Sequence, residues 1–210
     1  MRDTGLGQRL FRRVLFSFDA PLRQANHVFE FDRGEDCIFR ASLGEMGQDF
    51  AFADGERLKA YDAVLDMHFW NEHLPQMPAK GPSLGWARAM QRAFDVSFAR
   101  VAAFLSQRPD LARVKAIRTT SLLGGGERDE PLAQIMRRYG LERVPDDPAA
   151  TAHFGHNALV LLFMLACNPA AARIDVLWRK ECAYLMSRRV LERRYGDARP
   201  SPETRESATG

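Results

Sequence analysis

The hydrophobic period of this chain changes along its length, and that change limits the folds that it can adopt. Between residues 27 and 74, short apolar or alternating runs are separated by turn sequences such as Asp32-Arg33-Gly34 and Asp54-Gly55. Alternation is typical of half-buried strands, and Asp-Gly pairs favour tight turns between them. We therefore predict three or four antiparallel strands, formed by His27–Phe31, Cys37–Leu43, Asp49–Phe52 and Ala63–Trp70.

From residue 83 onward, the apolar positions recur instead with the spacing of a helix. Ser83 can cap a helix that ends before Arg108-Pro109, since proline stops helices. A strand at 114–122 and a short strand at 141–144 would form a βαβ-like unit. Three further helices are predicted at residues 129–139, 148–167 and 169–195. The sequence thus predicts an α+β fold in which a small, mainly antiparallel sheet packs against about four longer α-helices.

Length and composition fit one globular domain. The chain has 210 residues, of which 46% are hydrophobic and 27% charged, a mixture that excludes collagen-like and wholly disordered proteins. We assign residues 1–196 to a single domain, with an amphipathic N-terminal helix within 1–20, a strand-rich part at 27–74 and a mainly helical part at 83–196. Residues 197–210 contain nothing apolar except alanine and are predicted to form a disordered tail.

The cysteines and the apolar stretches predict a cytoplasmic protein. Cys37, Cys167 and Cys182 are widely spaced and form no CxxC pair, which argues against a disulfide framework and against a structural zinc site. The most apolar stretch, Ala158–Cys167, is about half the length that a membrane-spanning helix requires. We predict a buried core helix there and no transmembrane segment.

The N-terminal segment allows two interpretations. Within residues 7–18 the apolar side chains share one helical face, and Arg9, Arg12 and Arg13 lie largely on the other. Such a helix either docks on the core of its own domain or lies on an anionic membrane surface. The second alternative would make the protein peripheral to the inner membrane.

The basic residues carry less information than their number suggests. Of the 30 basic residues only four are lysine, so arginine is used throughout and each one is weak evidence of phosphate recognition. The net charge is +3 and no nucleic-acid-binding module is present, so we expect no nucleic-acid partner. The last predicted helix has seven basic and three acidic residues and forms either an anion-binding surface or a solvated face. Gly124-Gly125-Gly126 is a flexible turn or an anion cradle.

The densest cluster of reactive side chains is Asp66–His73. On a strand over residues 63–70, Asp66, His68 and Trp70 share the face opposite the apolar layer. His68 and Glu72 are candidate catalytic acid and base residues. The other polar or aromatic members would line a ligand site: Asp66, Trp70, Asn71 and His73. The alternative is an ordinary strand end with a partly exposed histidine.

A second cluster begins the apolar helix. His156 and Asn157 lie three and four residues after His153, so each is a neighbour of His153 on the helix surface. A sheet packed on this helix would bring His68 and Glu72 to the same place. Three of these side chains, His68, His153 and His156, are then candidate ligands of a divalent metal such as zinc. The alternative is core histidines that are hydrogen-bonded to carbonyl or carboxylate groups.

Four short segments carry a resemblance to a known family. They are AVLDMHFWNEHLP at 63–75, LGWA at 84–87, RRYGL at 137–141 and LERRYG at 191–196, and together they resemble the YkoP-like domain family over residues 27–196. The resemblance implies a link to bacterial polysaccharide deacetylases, glycosyltransferases and envelope or lipid metabolism, and it supplies no established catalytic residue. The HxxxH metal motif of the deacetylases is absent here, because Glu72 stands where the second histidine would be, so deacetylase activity is not implied.

Three functions follow as hypotheses. The first is a binding or accessory protein in bacterial envelope glycolipid or polysaccharide metabolism, with an anionic lipid or glycan as ligand. The second is a metal-dependent hydrolase or transferase that uses His68, Glu72, His153 and His156 as ligands or acid/base groups. The third is a structural interaction module.

Overall fold

The computed structural model describes residues 23–122, 129–145 and 154–196, together with 13, 15, 17 and 21. The described residues between 13 and 25 are helical. Seven strands follow within the described ranges: β1 (Phe39–Glu45), β2 (Phe50–Ala51), β3 (Arg57–Leu58), β4 (Ala63–Phe69), β5 (Ala116–Ser121), β6 (Glu142–Arg143) and β7 (Cys182–Ser187). The helices are α1 (Leu84–Ser106), α2 (Asp129–Tyr139), α3 (Phe154–Cys167) and α4 (Arg188–Tyr195), with 3₁₀-helices at Pro109–Leu111 and Ile174–Trp178.

Five strands form one sheet in the order β1-β4-β5-β7-β6, and β2 pairs separately with β3. β4 and β5 run parallel, whereas the other neighbours in the larger sheet are antiparallel. The α+β class and the longer helices fit the prediction, but the sheet is mixed rather than mainly antiparallel. The reason is helix α1, which returns the chain across the sheet so that β4 and β5 point the same way.

The strand-rich part overlaps the predicted runs. β1 and β4 pair from Phe39↔Phe69 to Glu45↔Ala63. The predicted run His27–Phe31 contributes one isolated bridge, between Phe29 and Ala41. Along β4, Leu65 and Met67 belong to the main core beside α1, whereas Val64 packs in a smaller cluster on the other face. This alternation is the one expected of a strand that is packed on both faces.

The prediction of a long helix at 169–195 is wrong. This segment contains a 3₁₀-helix, strand β7 and the short helix α4. β7 lies inside the sheet between β5 and β6, and its residues Tyr184, Leu185 and Met186 are fully buried. A strand that is buried on both faces has no alternating pattern, so its apolar run cannot be told from a buried helix. β7 also separates β5 from β6, which splits the predicted βαβ-like unit.

Helix α3 is not the buried core helix that its apolar sequence predicts. Among its residues only Asn157, Ala166 and Cys167 are buried. It packs on the 3₁₀-helix Ile174–Trp178, outside the main core, and Leu15 of the N-terminal segment packs on its C-terminal half. None of the helices described is long and apolar enough to cross a membrane.

Candidate functional site

A cleft of about 190 Å³ opens between the end of the β1–β4 pair, helix α3 and residues 23–28. Polar side chains form most of its lining: Arg23, Asn26, Arg40, His68, Asn71, Glu72 and His156. The remaining lining is apolar: Val28, Phe69, Leu159 and Phe163. The cleft therefore combines hydrogen-bonding groups with apolar contact, as ligand sites commonly do.

The register of β1 and β4 explains why polar groups meet here. Arg40 lies opposite His68 in the antiparallel pair. β4 ends at Phe69, and the following turn is closed by the N–H of His73, which donates to the carbonyl of Trp70 at 2.9 Å. The turn carries Asn71 and Glu72 to the edge of the cleft.

Arg40 is the centre of a buried polar network. Its side chain is 10% exposed, and its Nη2 donates to Oε2 of Glu72 at 3.3 Å. Its Nε lies 3.7 Å from Oε1 of Glu30, and its guanidinium lies 4.3 Å from the centroid of the Trp70 ring. Trp70 Nε1 donates to the same Glu72 oxygen at 2.8 Å. These contacts fix a largely desolvated positive charge in the wall of the cleft.

His68 lies beside Arg40 with its side chain accessible to solvent. Its Nε2 is 2.8 Å from Oγ of Ser42. Desolvation by the surrounding residues lowers the pKa of His68; Asp66 opposes this shift, while the positive charges of His156 and Arg118 add to it. The imidazole is therefore mainly neutral at pH 7 and can both donate and accept a hydrogen bond.

His156 approaches the same cleft from helix α3. Its Nε2 lies 2.8 Å from Oε1 of Glu181, and this hydrogen bond raises the pKa of His156. The pKa values of the two imidazoles in the cleft are thus shifted in opposite directions. As the pH falls, His156 therefore takes up its proton before His68 does.

The structure brings only some of the predicted site residues together. His68, Asn71, Glu72 and His156 line one cleft, whereas His153 lies outside the described residues. A wider depression of about 570 Å³ at the other end of β4, beside Tyr61, contains none of the predicted site residues.

Asp66, Trp70 and His73 lie beside or behind the cleft rather than in its lining. Asp66 accepts hydrogen bonds from Arg118 at 2.5 and 2.8 Å. Trp70 is buried beneath the guanidinium of Arg40. His73 stacks on Trp70 with ring centroids 3.8 Å apart, and its Nδ1 is 2.8 Å from the carbonyl oxygen of Cys37. Trp70 and His73 thus support the cleft wall behind Arg40, whereas Asp66 connects β4 to β5.

A metal site is not formed by the part of the chain that the structure describes. In that part, no group of three or more His, Cys, Asp and Glu side chains is arranged to hold a metal ion. Glu72 is engaged by Arg40 and Trp70, and His156 by Glu181. The zinc hypothesis therefore depends on His153.

Sequence reasoning missed Arg23 and Arg40. Arg40 is the only charged residue of the predicted run Cys37–Leu43, and a charged side chain in an otherwise apolar strand requires a partner. The charge in this apolar run is the signal by which Arg40 could have been found. Arg23 has no such signal, because its ion pair with Glu30, 2.6 Å long, is formed only by the fold.

The basic residues between 173 and 194 do not form one anion-binding helix. Arg179 donates to Asp175 at 2.6 Å and to the carbonyl of Leu122 at 3.1 Å. Arg189 forms an ion pair with Asp54, 3.3 Å long. Several of these residues thus connect neighbouring elements of the fold. Gly124–Gly126, the other candidate anion site, lies outside the described residues.

The fold and the cleft define a small α+β domain with a polar cleft that has an apolar side. A family model described as the YkoP domain matches residues 8–195. The chain therefore belongs to the YkoP domain family, and the resemblance drawn from its sequence is confirmed. No curated protein and no solved structure matches the chain.

Proposed function

We propose that the protein is a binding or accessory protein in bacterial envelope glycolipid or polysaccharide metabolism, and that its cleft takes an anionic ligand. The observation that carries the proposal is the shared cleft, where Arg23, Arg40 and two imidazoles face Leu159 and Phe163. Guanidinium and protonated imidazole groups are good donors to phosphate or carboxylate oxygens. The apolar side accommodates the less polar part of such a ligand.

The charge balance of the cleft makes the imidazoles important. Glu30 and Glu72 partly neutralise Arg23 and Arg40, so protonation of a histidine adds the positive charge that an incoming anion requires. His156 is the better candidate, because its pKa is raised whereas that of His68 is lowered. We place the protein in the cytoplasm, peripheral to the inner membrane.

Glucose 1-phosphate is a soluble probe for this proposal, and glucose is its uncharged counterpart. We expect isothermal titration calorimetry to detect binding of glucose 1-phosphate and no binding of glucose. The phosphate of this probe itself loses negative charge as the pH falls through about 6, so the contribution of His156 is read from the difference between the original protein and His156→Gln. Because His156 gains a positive charge as the pH falls through its raised pKa, we expect His156→Gln to bind about fivefold more weakly at pH 6 and this difference to shrink as the pH rises.

Arg113→Gln provides the matched control, because Arg113 lines the other depression. Its affinity should equal that of the unmodified protein. Equal binding of glucose and glucose 1-phosphate, or a His156→Gln profile identical to the original, would contradict an anionic ligand in this cleft.

A metal-dependent hydrolase or transferase is the second candidate, since His68 and His156 share the cleft. In this case His153 would complete the ligand set of a divalent ion such as zinc, and Glu72 would act as base. Elemental analysis of the purified protein separates the candidates. Because Glu72 and His156 already have partners, we expect less than stoichiometric zinc. Stoichiometric zinc that is lost in both His68→Ala and His153→Ala would contradict this expectation.

A further inference from the structure

The most apolar helix of the described chain has three exposed apolar side chains and only three buried residues. Helix α3 contains no Asp, Glu, Lys or Arg, yet Leu162 and Leu165 are 40% and 43% exposed, and Phe154 is 57% exposed. At about 100° per residue these three side chains lie within about 80° of one another around the helix axis. Phe163, which lines the cleft, lies on the other side of the helix, and Leu159, which also lines it, lies between the two sides.

The adjoining 3₁₀-helix extends this surface. Ile174 is 71% exposed and Trp178 is 67% exposed. The rings of Trp178 and Phe154 lie 6.4 Å apart between centroids, which joins the two elements. We call these five side chains the apolar face: Phe154, Leu162, Leu165, Ile174 and Trp178. Contiguous apolar surface of this kind is uncommon on a protein with no partner.

Two basic residues flank the 3₁₀-helix that carries Ile174 and Trp178. Lys180, two residues after Trp178, is exposed and forms no ion pair among the described residues. Arg173 precedes Ile174 and is about half exposed, with its Nε 3.3 Å from Asp175. The surface therefore has an apolar centre that contains tryptophan, and Lys180 is the basic residue at its edge that has no acidic partner among the described residues.

We propose that the apolar face docks on the surface of an anionic lipid bilayer. Tryptophan and other apolar side chains partition into the boundary between headgroups and acyl chains, and neighbouring basic groups bind anionic headgroups. Lysine is depleted in protein–protein interfaces, which favours a bilayer over a second protein as the partner. α3 has 14 residues and is too short to span the bilayer, so it lies in the plane of the interface. This docking does not depend on the ligand of the cleft.

Fluorescence quenching by brominated lipid tests the proposal with the full chain, because Trp178 is an exposed reporter. The vesicles are brominated phosphatidylcholine with or without phosphatidylglycerol. We expect vesicles with phosphatidylglycerol to quench the tryptophan fluorescence, and vesicles without it to quench the fluorescence less. Leu165→Asp should lower partitioning about tenfold. Lys180→Glu should lower it about fivefold, and only on vesicles with phosphatidylglycerol.

Tyr61→Asp is the matched control: Tyr61 is 81% exposed, lies at the other end of β4 and has a φ of 69°, which aspartate tolerates. It should partition like the original protein. The proposal is overturned if vesicles with phosphatidylglycerol leave the tryptophan fluorescence of the original protein unquenched. It is also overturned if Leu165→Asp binds these vesicles as well as the original protein does. It is also overturned if sedimentation shows a dimer that Leu165→Asp dissociates, since a second copy would then cover the face. Trp178→Ser, assayed by co-sedimentation with vesicles, should show the same loss as Leu165→Asp.

Discussion

Arg40→Met is expected to lower the free energy of unfolding by about 3 kcal/mol, as for other ion pairs that lose one buried partner. The substitution leaves the carboxylates of Glu30 and Glu72 without this cation and removes the guanidinium from the Trp70 ring. Methionine fills much of the same volume, so the loss is mainly electrostatic rather than a cavity effect. The measurement is urea-induced unfolding followed by circular dichroism.

Arg33→Met is the matched control for Arg40→Met. Arg33 also forms an ion pair with Glu30, but its side chain is 88% exposed and the two atoms are 3.9 Å apart. An exposed pair contributes at most about 1 kcal/mol. Adding Glu72→Gln to Arg40→Met should recover part of the loss, because it removes a carboxylate that no longer has its partner. Similar midpoints for Arg40→Met and Arg33→Met would show that the network around Arg40 contributes little.

The predictability of each element follows from its packing. β4 could be predicted because its two faces carry different residue types: Leu65 and Met67 face the main core, whereas Asp66 and His68 bear polar partners on the other face. β7 could not, because both of its faces are packed: Tyr184 and Met186 lie in the main core and Leu185 in the smaller cluster on the other face, which removes the alternation. The hydrophobic period of a strand reveals only the difference in polarity between its two faces.

The candidate site was partly predictable for a related reason. Local sequence placed His68, Asn71 and Glu72 at a strand end and His156 on a helix, and these residues line one cleft. The partners of Arg40 could not be predicted, because Glu30 and Glu72 reach it from distant parts of the sequence. Likewise, the composition of α3 predicts burial, and only the fold shows that its outer side is uncovered.

Arg188→Met is expected to cost about 3 kcal/mol of unfolding free energy, because several buried backbone acceptors lose a charged donor at once. The Arg188 guanidinium donates to the carbonyls of Leu105, Leu111 and Val114 at 3.2, 3.0 and 3.4 Å. It thereby joins α4 to the end of α1 and to the segment that leads into β5. Its Nε also donates to Glu192 at 2.7 Å.

Arg193→Met provides the control within the same helix, because Arg193 is exposed and a surface substitution of this kind changes stability by about 0.5 kcal/mol or less. Urea unfolding of both variants is the measurement. If Arg188→Met loses much more unfolding free energy than Arg193→Met, Arg188 stabilises the fold and does not serve to bind an anionic partner. Equal and small losses would return Arg188 to the set of residues available for binding, since its carbonyl contacts would then contribute no stability.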